Sequence, residues 1–537
     1  MAAIRALRPA YWLRSKAGIR FPPPTSTPTK KTARAATTID PEVSRPWRLA
    51  RHGLALLLLA VPWLSPATGY GQSSELIAAQ QSFARLYAEG RYADALPAAE
   101  RALKLSENEF GPDHLVIATS LNGLGVLRRA RGEYAAAGRL YERALKIREK
   151  ALGRDHPGVA TVLGNLALVH DSQGRYAEAE GLYKRALAIR ENALGPGHAD
   201  VATTLNNLAE LYRYQGRYAE AEGLHKRALK IRENDLGPDH PRVATSLNNL
   251  GLLYRSLGRS AEVEPLYKRA LAIREKALGP DHPSVAASLN TLGELYRLQA
   301  RHAEAEPLLK RALAIGEKAL GPEHPRVATS LHHLGVLYRD LGRAAEAEAL
   351  FERSLAIRRK ARGPVHRRVA TVLNSLAVLY RTQGKHADAE ELFKRALAMV
   401  DQSVGPQHAN FARTLTDLGG LYQDQGRFAE AEALYNRALG IIAAALGTKH
   451  PQYAKATFSL AGLYRAERRH GEAEPLFKRA IAIRERNFGP DHPVVAKSLS
   501  GYAALLHATG RDGEARKLEA RARAIRQRRE DGKKTKK

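Results

Sequence analysis

The chain has 537 residues, a net charge of +30 and no cysteine. Without cysteine it can form neither disulfides nor thiolate metal sites, and a cysteine nucleophile is excluded. The excess of Lys and Arg favours acidic partners, such as acidic peptides, anionic lipid or nucleic acid, without choosing among them.

The first segment of the chain has the composition of an export signal behind a basic leader. Residues 1–44 are rich in Pro, Thr, Ala and Arg, which predicts disorder. Residues 45–71 run from basic RPWRLARHG through apolar LALLLLAVPWL to small polar residues, which is the order of a secretory signal. The apolar run is too short to span a bilayer as a helix. We therefore expect export to the bacterial periplasm or medium, with cleavage near Gly69 or Gly71.

Alternatives stay open both for the fate of the apolar run and for the origin of the long leader. The apolar run can stay as an uncleaved anchor, which would leave the protein on the inner membrane, and a cytoplasmic location is the other alternative. Because so long a leader is unusual before a signal, translation can start later, at Val43 or Leu49. N-terminal sequencing that found a product beginning well before residue 43 would exclude this. The acid-free start, MAAIRALRPAYWLRSKAGIR, also suits an organellar transit peptide.

From residue 73 onwards the chain is periodic. Ten histidines stand 42 residues apart, at His114, His156, His198, His240, His282, His324, His366, His408, His450 and His492. Around each of them one phrase returns, clearest as LGPDHPRVATSLNNLGLLYRSLGR over residues 236–259. A fixed period over most of a chain predicts a repeat array, in which each unit packs only on its neighbours.

Each unit is predicted to be a helical hairpin, with a helix A followed by a helix B. In one copy Val243, Leu247, Leu250 and Tyr254 recur at the spacing of one helix face. Gly258 breaks the pattern at a turn where a positive φ is needed, and a second periodic run follows.

The connector between hairpins carries helix stop and start signals. Gly237 suits the position just after helix B, and Pro238 prevents the helix from continuing. Asp239 or His240 can cap the next helix A, with Pro241 at its first position, where a missing N–H costs nothing. The histidines are therefore interpreted as cap and connector residues.

The unit resembles the tetratricopeptide repeat. In one copy the residues that carry the pattern are Leu205, Leu208, Ala209, Tyr212, Ala221, His225 and Ala228. The added connector and the paired Asn of LNNL resemble the 42-residue repeats of kinesin light chains and their bacterial relatives. The resemblance implies an all-α fold, a right-handed superhelical α-solenoid of about eleven hairpins. Residues 73–109 would be a degenerate capping repeat, 110–511 the tandem array and 512–537 a terminal helix and basic tail.

Neither catalysis nor cofactor binding is predicted. The chain lacks G-x-S-x-G, H-E-x-x-H and phosphate-cradling motifs, and its acids and bases repeat with the unit. Histidines one repeat apart lie about 10 Å from each other, too far to share one metal ion. We therefore predict no enzyme activity, no cofactor, no metal site and no small-molecule substrate.

The predicted binding surface is a second stripe on helix A. As the resemblance implies, helix A lines the concave side of the array. An Asn amide there can hold a peptide backbone, and an Arg in the next turn can bind a carboxylate. The predicted groove residues are Asn122, Arg129, Asn206, Arg213, Asn248, Arg255, Asn290, Arg297, Arg339, Asn374 and Arg381.

These features predict a non-enzymatic scaffold that binds extended, acidic peptide segments of other proteins. The alternative is a basic adaptor for anionic membrane or nucleic acid, suggested by the basic C-terminal helix. That helix lacks interleaved aromatic residues and its charges fall on several faces, so a solvated cap is the simpler interpretation. Membrane contact through an uncleaved N-terminal segment remains open, and nucleic acid is the less favoured partner.

Overall fold

A computed structural model describes residues 71–534, with the side chains of residues 260 and 529–534 left out. The predicted leader and nearly all of the signal-like segment, residues 1–70, lie outside the described residues. Within 71–534 the regular structure consists of 22 helices and contains no strand, and none of these helices is long and apolar enough to cross a membrane. The predicted all-α solenoid of about eleven hairpins is confirmed.

The helices alternate regularly between helix A (odd numbers) and helix B (even numbers). In chain order they are α1 (Ser74–Ala88), α2 (Tyr92–Phe110), α3 (Leu115–Arg131), α4 (Tyr134–Leu152), α5 (Pro157–Ser172), α6 (Tyr176–Leu194), α7 (Ala199–Tyr214), α8 (Tyr218–Leu236), α9 (Pro241–Ser256), α10 (Ser260–Leu278), α11 (Pro283–Leu298), α12 (His302–Leu320), α13 (Val327–Asp340), α14 (Ala344–Arg362), α15 (Arg367–Thr382), α16 (His386–Val404), α17 (Ala409–Asp424), α18 (Phe428–Leu446), α19 (Pro451–Ala466), α20 (His470–Phe488), α21 (Pro493–Ala508) and α22 (Asp512–Lys534). Each consecutive pair is one unit, from unit 1 (α1 and α2) to unit 11 (α21 and α22).

The periodic histidines sit at the starts of the A helices. In all ten, ring Nδ1 accepts a hydrogen bond from the backbone N–H two residues further on. His240 rather than Asp239 caps α9, through the N–H of Arg242 at 3.1 Å. The bond of His324 is the same, although α13 begins only at Val327. The capping role is thus confirmed, and it requires an unprotonated Nδ1.

Within a unit, helix A and helix B meet where a small residue faces a large one. Gly251 of α9 lies against the fully buried ring of Tyr267 in α10. A Cβ added at Gly251 would come within 2.3 Å of Tyr267 Cε1. This close approach is why the pattern places glycine or alanine there, and overpacking at such a point typically costs about 1–3 kcal/mol.

Between units, a cluster of Arg, Tyr and Glu joins many of the A–B turns to helix B of the preceding unit. The hydroxyl of Tyr254 donates to Glu222 at 3.1 Å, and Arg259 lies over the Tyr254 ring, 3.8 Å from its centroid. Arg259 also pairs with Glu222 at 2.9 Å and with Glu262. The cluster recurs around Arg217, Arg301, Arg343, Arg427 and Arg469.

A buried arginine in helix B holds the start of the next unit. Arg232 donates to the backbone carbonyl of Arg242 and to Ser246 Oγ, both at 3.0 Å. Burial lowers the pKa of Arg232 to about 10, which is still far above neutral pH. The cation is therefore retained, and its hydrogen bonds join helix B of unit 4 to the first turns of α9.

The described units do not contact their neighbours alone, which corrects the expectation of purely local packing. Units five and six apart also touch, because the superhelix brings its second turn against its first. His450 Nε2 lies 2.9 Å from the carbonyl oxygen of Tyr214, and Arg362 donates to the carbonyl of Ala130 at 2.6 Å. Five turn glycines lie against a histidine or its following proline 234–235 residues later, namely Gly90, Gly132, Gly174, Gly216 and Gly258.

Candidate peptide-binding groove

The A helices form a continuous surface, which we call the inner surface. Helices A of successive units contact each other directly, as α7 and α9 do. Short polar side chains bridge them, for example Asn165 and Asn122 at 2.9 Å and Asn374 and Asp417 at 3.2 Å. Helices B of successive units are instead joined by long Arg–Glu pairs such as Arg227 with Glu191. The more closely packed A side is therefore the inner side of the superhelix.

The predicted asparagines lie along the inner surface, and three of them are buried. Asn122, Asn206 and Asn290 are 0%, 3% and 7% exposed, whereas Asn248 and Asn374 are partly exposed. Burial at these positions was not foreseen from the sequence, where the stripe was interpreted as solvent-facing. A stripe beside the core stripe becomes buried when helices of adjacent units approach closely.

Asn206 uses both ends of its amide within the fold. Its Nδ2 donates to Ser246 Oγ at 3.0 Å, and its Oδ1 lies 2.8 Å from Nδ1 of the buried His225. His225 stands where most other units carry an aromatic residue or leucine. Asn206 therefore links three helices of two units.

The other four predicted asparagines each retain one buried amide atom without a hydrogen-bond partner. These atoms are Asn122 Nδ2 and the Oδ1 atoms of Asn248, Asn290 and Asn374. A buried polar atom without a partner costs about 1–3 kcal/mol, and native proteins contain few of them. A row of them along one surface is consistent with groups that a bound partner completes.

Four of the six predicted arginines are already paired with carboxylates of the inner surface. Arg213 pairs with Glu210 at 2.9 Å, Arg339 with Asp340 at 2.8 Å and Arg381 with Asp424 at 2.5 Å. Arg297 pairs with Glu294 and also reaches Asp340. These acids were not predicted. For Arg213 and Arg297 the sequence holds a signal, a Glu three residues earlier on the same helix face.

Arg129 and Arg255 are different, since neither pairs with a carboxylate in the part of the chain that the structure describes. Arg129 lies close enough to Tyr141 to lower the pKa of that hydroxyl against the larger, opposite effect of burial. Arg255 acts in the same way on Tyr267. Of the six predicted arginines, the two without a carboxylate partner therefore lie in units 2 and 5 of the inner surface.

The pKa of Glu210 shows how its arginine and histidine partners stabilise the ionised carboxylate. Burial alone would raise the pKa of Glu210, but His225 and Arg213 more than offset this, so the pKa lies below its usual range. Asp171, which replaces arginine at the same position of unit 3, has the opposite shift. Burial raises the pKa of Asp171 to about 6, although Arg367 from the next superhelical turn acts against it.

Within residues 71–534 no cluster of three or more His, Asp or Glu has a geometry suited to a metal ion. Buried histidines of the second superhelical turn are held neutral instead. Burial, followed by the nearby Arg367 and Arg413, lowers the pKa of His408 to about 4. Burial likewise lowers the pKa of His450 to about 4. The adjacent His332 and His333 contact Ser375 and Glu294 separately.

The fold and this surface define a class of protein, an α-solenoid built from helical hairpins. Sequence models of the tetratricopeptide repeat match residues 82–150, 117–192, 200–276, 262–318, 299–360, 326–402, 374–445, 410–486 and 459–528. Because these matches cover most of the chain, it belongs to the tetratricopeptide repeat family. Repeats of this family generally bind protein partners and are typically non-enzymatic scaffolds.

Solved structures with kinesin light chain type repeats are similar to parts of the chain. A Podosopora anserina chain with nearly identical TPR-like repeats is 30% identical and covers 38% of this chain and 97% of its own, with a TM-score of 0.32. BtubC from P. vanneervenii is 26% identical and covers 45% of this chain and 93% of its own, with a TM-score of 0.34. No curated protein matches the chain.

Proposed function

We propose that the protein binds an extended, acidic segment of a partner protein along the inner surface. The row of buried amide atoms without partners, at Asn122, Asn248, Asn290 and Asn374, is the observation that carries the proposal. A peptide backbone offers an N–H and a carbonyl at every residue, so it can complete such atoms whatever its side chains are. Small rotations of the amides toward the peptide would form these bonds.

The preference for acidic segments rests on Arg129 and Arg255. Both lack a carboxylate partner within the described residues, so they can pair with Asp or Glu of a ligand without breaking an existing ion pair. The arginines at 213, 297, 339 and 381 would first have to leave their own acids. We therefore place the acidic side chains of the partner near units 2 and 5.

We expect the bound part of the partner to be an extended segment rather than a folded domain. Contacts between units six apart close the side of the array at five turns, including those at Gly132 and Gly216. We expect these contacts to keep a folded domain away from the A helices there, whereas a single extended strand needs only the width of one chain. Export of the protein, as the N-terminal segment suggests, would make this partner periplasmic or extracellular.

Two libraries of labelled 15-residue peptides test the proposal, one rich in Asp and Glu and the other with Asn and Gln in their place. The full chain should retain the acidic library and release it at high salt. The combined change Asn248→Ala, Asn290→Ala and Arg255→Gln should reduce retention at least about tenfold, which is about 1.4 kcal/mol. Asn234→Ala, on the exposed side of α8, is the matched control and should retain peptide normally.

Equal retention of both libraries would remove the acidic preference, and equal retention by the triple variant would reject the inner surface as the binding site. Circular dichroism of each variant separates loss of binding from loss of fold. Asn206→Ala tests the contribution of an asparagine to the stability of the fold. Since both ends of its amide bond within the fold, this change should lower the denaturation midpoint.

A further inference from the structure

The first unit contains a cavity at its boundary with unit 2. It lies between α1, α2 and α3 and has a volume of about 240 Å³. Phe83, Tyr87, Ala99 and Ala102 form much of its apolar wall. An engineered apolar cavity of about 150 Å³ can bind benzene, so this one is large enough for a single ring with a short substituent.

The cavity exists because unit 1 departs from the repeat at one position of helix B. Units 2 to 10 carry a large, buried side chain there, at Tyr141, Tyr183, His225, Tyr267, Leu309, Phe351, Phe393, Tyr435 and Phe477. Unit 1 has Ala99, which is buried but leaves that space empty. Phe83 replaces the small residue that normally faces the aromatic, yet its ring lies beside Gly123 of α3 rather than filling the gap. The degenerate sequence of the first repeat, with Ala99 in place of a large side chain, thus produces the cavity.

Two polar groups at the cavity are donors that lack acceptors. Asn122 is 0% exposed and lines the cavity. Its Oδ1 accepts from Asn165, which leaves its Nδ2 without a partner. Arg129, also in the lining, has a buried Nε without a partner. No Asp or Glu lines the cavity, so nothing there balances the charge of Arg129.

We propose that this cavity binds a small amphipathic carboxylate, a single aromatic ring or branched aliphatic group that carries one carboxylate. The apolar body replaces the missing side chain at Ala99, and burying it is favourable by roughly 25 cal/mol per Å². The carboxylate accepts from Arg129 and from Asn122 Nδ2, and charge-assisted bonds of this kind are the stronger ones. The site shares Asn122 and Arg129 with the unit 2 end of the proposed peptide groove, so a peptide bound there would compete with the carboxylate. The cavity at Ala99 belongs to this site alone, and the titration below, made without peptide, tests it separately.

Phenylacetate is the probe for calorimetric titration of the full chain, with phenylacetamide as its uncharged match. Phenylacetate should bind one to one, and phenylacetamide at least about tenfold more weakly, since it brings no charge to Arg129. Arg129→Gln should weaken phenylacetate binding by a similar factor and make the acid and the amide bind alike. Arg465→Gln, at the same position of unit 10 where Phe477 fills the gap, should bind as the wild type does.

Ala99→Leu is the decisive variant, because Leu309 already occupies the same position in unit 6. Filling the cavity should abolish phenylacetate binding while the melting temperature stays equal or rises. Unchanged binding by Ala99→Leu, or equal affinity for the acid and the amide in the wild type, would overturn the proposal. So would the lack of saturable binding by the wild type up to about 10 mM, which corresponds to less than about 3 kcal/mol. Should Ala99→Leu fail to fold, the comparison of Arg129→Gln with Arg465→Gln still decides.

Discussion

At the residue scale, the same position in the repeat performs different tasks in different units. The inner-surface arginine is paired at Arg213, lacks a carboxylate at Arg255 and is replaced by Asp171 in unit 3. Duplication copies the position, but the neighbours that later substitutions place around it decide its charge balance. Asp171 is the clearest case, because it is a carboxylate at the repeat position where most other units carry an arginine.

Asp171→Asn should stabilise the protein at neutral pH. Burial raises the pKa of Asp171 from 3.8 to about 6 in the folded state, so folding favours its protonated form. The wild type should therefore lose stability as the pH rises from about 4 to about 6, by about 1–2 kcal/mol after allowance for solvent. Asn cannot ionise and should remove that loss.

The check is the urea denaturation midpoint of both proteins at pH 4.5 and pH 7.5. The gain from Asp171→Asn should be present at the higher pH and small at the lower one. Asp155→Asn, in an exposed connector, serves as the control for a general effect of charge. A gain of equal size at both pH values would show that burial of Asp171 does not govern it.

At the element scale, the turns between helices A and B require a residue with a positive φ. Most of these turns have glycine with a positive φ, such as Gly384 at +75°. Two turns keep the same backbone without glycine, at Ala300 with φ of 56° and at Arg468 with φ of 60°. Residues with a Cβ are strained there, by roughly 1–2 kcal/mol. The hairpin geometry is therefore imposed by packing of the helices and not by glycine alone.

Ala300→Gly should raise stability, and Gly384→Ala should lower it. Relief of strain at Ala300 is partly offset because glycine gains freedom in the unfolded chain, which leaves about 0.5–1 kcal/mol. Gly384 has open space for a Cβ, so its replacement tests backbone strain without a clash. Opposite shifts of the urea midpoint are expected, and a loss of stability in Ala300→Gly would contradict the strain argument.

At the scale of the whole molecule, the superhelix is stabilised by contacts between units six apart as well as by stacking. Some of the histidines both cap their own helix and contact the other superhelical turn. Nδ1 of His450 accepts from the N–H of Gln452, while Nε2 lies against the carbonyl of Tyr214 in the first superhelical turn. Such a ring must be neutral with its proton on Nε2, in agreement with the lowered pKa of His450.

Gly132→Ala should lower the stability of the fold more than Gly384→Ala does. Both glycines have a positive φ and share the same strain, but a Cβ at Gly132 would lie 2.8 Å from Cδ2 of the buried His366. The turns must then separate, so we expect an added loss of about 1 kcal/mol or more and a larger radius of gyration. Small-angle scattering and urea denaturation of both variants measure this. Equal effects in the two variants would mean that the contact between turns contributes little.

The unit and its helices follow directly from the sequence, because they depend on local signals. Apolar spacing, connector prolines and the histidine caps act within one hairpin, and each was predicted where it is found. The partners that Arg297 and Arg381 find in the next unit were not, since Asp340 and Asp424 lie 43 residues away. Only Glu294, the other partner of Arg297, lies on its own helix. The burial of Asn122 and Asn290 was missed for the same reason.

Sequence by itself determined the period, the number of hairpins and the helix boundaries of this protein, because hydrophobic spacing and capping are properties of short segments. Tertiary structure alone decided which inner-surface groups keep unsatisfied charges or amides, where Ala99 leaves a cavity, and that one superhelical turn rests on another. These depend on the small rotation between successive units, which accumulates over six repeats. No single repeat encodes it, since every interface contributes a little to it.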